Sequence, residues 1–460
     1  GTCRYYGEEK GAPRCRRGTC PFRIHLRRMV AGEMQRLAGK GDLTPAQRRE
    51  LEVLKKEYAR LLVRVGLNVE QGQTLVISSP VECAFFARLC AAEAYDAGCR
   101  EVVMNWSDDA LGRMKYLHAE DSVFDTVPLW RRHFYNDYAL EGAAYLAISA
   151  SDPENLRGVD HGRIVRAQQA SGAALKDFDR LQMCGGFPWC IASIPIPSWA
   201  KKVFPDLPAD EAMEKLWDAI FAAVRITGAG DCVEQWQAHI ATLERRVEKL
   251  NQLNFKSLRY TNSLGTDLTV ELPEGHIWEA GNDVTLSGRT YIANIPTEEV
   301  FTSPLKTGVN GVVCSALPLS HNGTIIDRFR FTVKDGKIVE VRAEQGEEAL
   351  RAAVTVDEGA SYFGEVALVP YDSPISNQKI LYYNTLFDEN AACHIAFGEA
   401  YPCLKGGQEM SKDELKARGL NDSITHVDFM VGTADLNITG TTHDGREIPV
   451  FVNGNFAEGI

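Results

Sequence analysis

The chain lacks any uninterrupted apolar run of the ~20 residues a bilayer-spanning helix needs, so no membrane partner is expected. It is short of positive charge: 50 Lys and Arg against 62 Asp and Glu leave −12, which argues against a nucleic-acid groove. The strand-to-helix junction SSPVECAF (78–85) has no glycines, so it offers a helix N-terminus but not a phosphate loop. There is no dense cysteine framework either. Twelve cysteines are scattered; Cys184 and Cys190 are spaced too widely for a zinc knuckle, and Cys83, Cys90 and Cys99 sit in apolar helical surroundings. Reduced thiols in a cytoplasmic protein are the expected state. What remains is an ordinary globular composition, 45% hydrophobic and 24% charged, on 460 residues that can build two or three cored domains.

The first 28 residues carry eight Lys and Arg against two acids, with three cysteines and no apolar signal core. We expect 1–43 to be an extension foreign to the fold, either disordered or ahead of the true start; a zinc tail using Cys3, Cys15, Cys20 and His25 is the alternative. Thr44-Pro45 then opens a helix as cap and first-turn proline, with Leu51, Leu54, Tyr58, Leu61 and Leu62 at helical spacing. Strands are predicted at 74–79, 101–106, 143–149 and 189–196. Helices are predicted at 82–97, within 122–140, and over 156–176, 209–225 and 231–252. Strands separated by helices imply a parallel sheet covered on both faces. Near residue 254 the texture changes to short alternating strands and hairpins, with Asp335-Gly336 as one turn. The expected fold class is therefore α/β: a parallel-sheet α/β domain over 44–253, then a β-rich α+β domain over 254–460.

The chemistry concentrates beyond residue 290. FDENAACHIAFGEAY (387–401) places three carboxylates, a histidine and a tyrosine in apolar sequence, and buried charge persists where it is paired or holds a metal. THVDFMVG (425–432) puts His426 and Asp428 two apart, on one face of a strand; alone, this pair reads equally well as a surface contact. YFGEVALV (362–369) puts Glu365 inside an apolar strand, with Phe363 and Ala367 expected on its face. ANIPTEEVFTSP (293–304) sets Glu298 beside Glu299 at a strand end, where a bulge after Pro296 would let both reach one pocket; a solvated rim is the plain alternative. Together the four segments offer Glu and Asp oxygens and two imidazoles, enough for two metals sharing a carboxylate.

These four motifs, in this order and spacing, resemble the dimetal aminopeptidases typified by aminopeptidase T and aminopeptidase S, from about residue 55 to the end. The resemblance implies metal ligands at Glu299, Glu365, Glu389, His394, His426 and Asp428, with Glu365 bridging. It implies a general base at Glu298 and a tyrosine near the metals at Tyr401. It also implies a homodimer, short peptide substrates with a free N-terminus, and two divalent ions, zinc, cobalt or manganese. Two rivals stand beside it. Another dimetal amide or phosphoester hydrolase would want cationic groups, which the motifs lack. A non-enzymatic α/β ligand-binding protein with a structural metal would want a closed, often cysteine-rich site.

Overall fold

A computed structural model describes residues 45–227, 231–322 and 324–460. The extension expected over 1–43 and the cap expected at Thr44 lie outside the described residues.

The first half is built on four parallel strands. Thr74–Pro80 lies between Glu101–Ser107 and Ala144–Ile148, and Trp189–Ala192 completes the sheet. Its central strand feeds two cores at once. Leu75 and Ile77 pack with Phe86 on one side, whereas Val76 packs with Tyr145 and Phe187 on the other. A strand buried on both faces reads as a continuous apolar run, and TLVIS does. Helix Ala84–Ala97 stops at Gly98, whose φ of 99° closes the last turn in the left-handed region. The helix expected over 156–176 is two, His161–Ala174 and Lys176–Met183. Helix Asp109–His118 was not expected: it buries none of its residues, and Asp108 starts it by accepting from the Leu111 N–H.

Helix Cys232–Leu253 ends on Asn254 in the left-handed region, and strand Phe255–Thr261 follows at once. The second half holds a nine-stranded sheet whose strand pairs are antiparallel. At its Asp335-Gly336 turn both residues have positive φ, 50° and 82°, as a two-residue hairpin requires. A second antiparallel sheet runs in the order His426–Met430, His394–Gly398, Phe363–Leu368, Val300–Thr302, Glu279–Ala280. One face packs on the larger sheet through Phe331, Phe363, Phe397 and Phe429. Ile292, Ile295, Tyr382 and Phe387 return to the core of the first half. None of the described helices is long and apolar enough to cross a membrane.

Candidate metal centre

Three adjacent strands of the smaller sheet set out most of the expected donors. Across them Glu365 faces Ala396, which faces Asp428; one row on, Ala367, His394 and Met430 align; and Gly398 lies beside His426. The middle strand thus alternates His394, Ala396 and Gly398, so a methyl or nothing stands where a larger side chain would separate the flanking acids. Glu365 reaches this face through a β-bulge between Phe363 and Glu365. The bulge needs Gly364, because a Cβ there would lie 2.1 Å from the Glu399 carbonyl oxygen. It also overturns the expectation that Phe363 shares the face of Glu365. Phe363 turns into the aromatic core, 5.9 Å from the Phe429 ring centroid and fully buried.

The segment before the His394 strand places its acids in different directions. The Asp388 carboxylate turns inward and accepts the N–H groups of Tyr382 and Asn384; burial still pushes it up to about 7. Glu389 opens into the cavity. Its carbonyl accepts a hydrogen bond from His394 Nδ1 at 2.9 Å, and the Glu399 carbonyl does the same for His426 Nδ1 at 2.8 Å. Both imidazoles therefore present Nε2 to the cavity, the arrangement that orients a metal-binding histidine.

Two triads result. Glu299, Glu365 and His394 bring one donor atom each within 4.8 Å of the others, and Glu365, His426 and Asp428 do the same. Glu365 belongs to both: its Oε1 lies 3.9 Å from His394 Nε2 and its Oε2 lies 3.0 Å from His426 Nε2. Glu299 Oε2 is 2.9 Å from His394 Nε2, and Asp428 Oδ1 is 3.3 Å from His426 Nε2. Yet Glu299 Oε2 and Asp428 Oδ1 are buried and accept no aligned hydrogen bond, an expense that a cation would remove.

Electrostatics point the same way. The described lining includes Glu299, Glu365, Glu389, Asp428 and Asp283 but no Lys or Arg. Burial, then the nearby Asp428 and Glu299, pushes Glu389 well above the carboxylate range; burial also raises Glu365, with Asp428 and Glu299 adding to it and His426 opposing. Burial opposes charge on His394 and His426, but the carboxylates outweigh it and hold both well above the usual imidazole range. A cavity that holds protons this firmly between hard oxygens and imidazoles has the donor chemistry for a divalent cation.

Tyr401 lines the same cavity, its ring 5.1 Å from that of His426 and 5.5 Å from that of Phe301. Glu298 is the expected site residue that does not line it. Its carboxylate is gripped by both terminal nitrogens of Arg225 and lies 3.6 Å from His239. Asp283 and Trp189 line the cavity without having been singled out from sequence. Arg225 and His239 gave no sequence signal, being lone basic residues among helical ones.

Cysteine contributes nothing to either triad, so the centre is one of oxygen and imidazole donors, as in hydrolytic metalloenzymes. Residues 52–456 match the family of thermophilic metalloproteases, M29, and the chain belongs to that family: it is a metal-dependent peptidase. Aminopeptidase 2 of Geobacillus stearothermophilus is 46% identical over 402 residues, covering 87% of this chain and 97% of that one. Aminopeptidase AmpS of Bacillus subtilis is 44% identical over 401 residues, with the same coverage. The solved structure of wild-type AmpT from Thermus thermophilus superposes with a TM-score of 0.82 at 40% identity, covering 88% of this chain and 99% of that one.

Proposed function

We infer that the chain is a metal-dependent aminopeptidase that removes single residues from the free N-terminus of short peptides, using a pair of divalent ions. The observation that carries this reading is the single carboxylate of Glu365 shared by two triads of donors. Glu299, Glu365 and His394 would hold one ion, and Glu365, His426 and Asp428 the other; Glu389, expected as a sixth ligand, lies in neither triad. When bound, such a pair polarises the scissile carbonyl and lowers the pKa of a water between the ions; zinc, cobalt and manganese all suit these donors.

The chain's own residues supply the rest. Glu389 opens into the cavity but belongs to neither triad; it takes the proton of the attacking water and returns it to the leaving amine. Glu298, the residue expected in that role, is committed to Arg225 and does not line the cavity. Tyr401 donates a hydrogen bond from its hydroxyl to the oxyanion of the tetrahedral intermediate. The absence of Lys and Arg among the described lining residues disfavours a phosphoester substrate.

The test uses leucyl and arginyl chromogenic amides, with and without an N-blocking group, before and after chelation. Hydrolysis of the unblocked amides alone, lost to chelator and restored by added metal, is expected. Turnover of blocked amides, or activity indifferent to chelator, contradicts the reading.

We place the enzyme in the cytoplasm as a homodimer. The nine described cysteines are unpaired thiols, as a reducing compartment keeps them. Helix Asp109–His118 and the start of helix Leu129–Leu140 leave Leu111, Met114, Leu129 and Trp130 largely exposed, a surface suited to a second copy. Light scattering at micromolar concentration should give twice the chain mass; a monomer contradicts the dimer, and recovery outside the reducing compartment on cell fractionation contradicts the location.

A further inference from the structure

The turn Pro296–Glu299, which delivers Glu299 to the first triad, is held largely by side chains from elsewhere rather than by a strand ladder. The Thr297 carbonyl accepts from His239 Nε2 at 2.8 Å. The Glu298 N–H donates to Asn390 Oδ1 at 2.7 Å, and Asn390 Nδ2 donates back to the Pro296 carbonyl at 3.4 Å. Asn390 is the neighbour of Glu389, so one amide ties two donor segments together. Such a turn has no regular hydrogen-bond pattern to restore it if a side-chain tie is cut.

The strongest tie is the Glu298 carboxylate. It is 4% exposed and pairs with Arg225, whose Nη2 lies 2.8 Å from Oε2 while Nη1 takes the other oxygen. A two-pronged guanidinium grip fixes the plane of a carboxylate, which a lysine cannot do. Arg225 is itself held. Its guanidinium lies over the Trp236 ring at 5.7 Å, and Trp236 Nε1 donates to the Val224 carbonyl at 2.8 Å. Its φ is +59°, a conformation that non-glycine residues adopt rarely and keep where the surroundings impose it. A strained backbone, a buried charge and an aromatic shelf are thus all devoted to a carboxylate one residue from a metal donor. Ion pairs buried this deeply are weak contributors to stability against an apolar pair of similar volume, which leaves positional control as the return.

We propose that Arg225 is a positioning residue for the metal centre: by gripping Glu298 it sets the turn that aims the Glu299 carboxylate at His394 and Glu365. This rests on the two-ion reading above, and predicts that Arg225 affects metal binding without touching metal, water or substrate.

The experiment compares full-length wild type with Arg225→Lys, Arg225→Met and the double variant Arg225→Met/Glu298→Met. Affinity for Zn²⁺ is measured by competition with a chromogenic chelator, and the visible absorption bands of the Co²⁺-loaded protein report donor geometry. Arg225→Met takes the guanidinium away from a buried carboxylate and is the variant most liable to misfold; the double variant removes both charges and keeps the volume. Expected are a loss of Zn²⁺ affinity of roughly 10- to 100-fold, the range for removing a group that orients a ligand, in the double variant and in Arg225→Met where it folds. A smaller loss is expected in Arg225→Lys, and shifted Co²⁺ bands in all three. A folded double variant with wild-type Zn²⁺ affinity and wild-type Co²⁺ bands overturns the positioning role alone. A wild-type protein that binds neither ion overturns the metal reading and this inference with it.

Discussion

Glu365→Gln is expected to lose its bound metal while keeping its fold. The substitution preserves shape and removes one negative charge at the point where two triads meet. It also turns an amide nitrogen toward an imidazole that faces a carboxylate oxygen at 3.0 Å in the wild type. Losing an outer partner of a metal ligand costs ~10- to 100-fold in affinity; losing a carboxylate shared by both triads should exceed ~100-fold, with activity falling in step. The metal-free protein gives the control. Burial raises the Glu365 pKa in the folded state, with Asp428 and Glu299 adding to it and the hydrogen bond from His426 opposing. Its ionised form therefore costs stability as pH climbs above the unfolded carboxylate range. Glutamine removes that cost together with the charge that pairs with His426, so metal-free Glu365→Gln should melt close to the metal-free wild type near neutral pH. A variant that keeps full metal content refutes the bridging role; one that loses metal because it unfolds shows itself by a lowered melting temperature.

Tyr401→Phe should separate binding from chemistry. The ring packs between Phe301 and His426, contacts phenylalanine can reproduce. The backbone at this position is fixed independently, since the Tyr401 carbonyl accepts from the Ser303 hydroxyl at 2.8 Å. Only the hydroxyl is lost. Burial, followed by the carboxylates of Glu365, Asp428, Glu299 and Glu389, holds that phenol well above its ordinary range, so its proton stays available for donation. Removing one oxyanion donor costs ~10²-fold in kcat. We expect a fall of about that size, with metal content unchanged and KM little altered. An unchanged kcat would reduce Tyr401 to a packing residue.

How much of this could be read in the sequence depends on whether a residue's neighbours in the chain are also its neighbours in space. Glu365 stood out because a charge interrupts an apolar strand, and His426 with Asp428 because a period of two puts both on one face. The parallel sheet was visible as apolar runs spaced by helices. Strict alternation puts Phe363 on the wrong face because it ignores the bulge; Gly364 is the available warning, since a glycine inside a strand often marks one. Arg225 is 73 positions from Glu298, and a single basic residue at the end of a helix looks like solvated surface until the fold is known. The same holds for Asp283, on a two-residue strand too short to show a period, and for helix Asp109–His118, which buries nothing. The resemblance assigns Glu299 to the metal and Glu298 to the base, although two neighbouring acids give little in their order to separate them. Their separation is made by a turn whose ties come from residues 239 and 390.

The most direct trial of the dimetal centre is anomalous diffraction from metal-loaded crystals, with metal content measured on the same preparation. Two peaks per chain, one on either side of the Glu365 carboxylate, with peptide hydrolysis rising as the second fills, is the predicted result. A fully active enzyme holding a single ion, or ions seated away from Glu365, would contradict it.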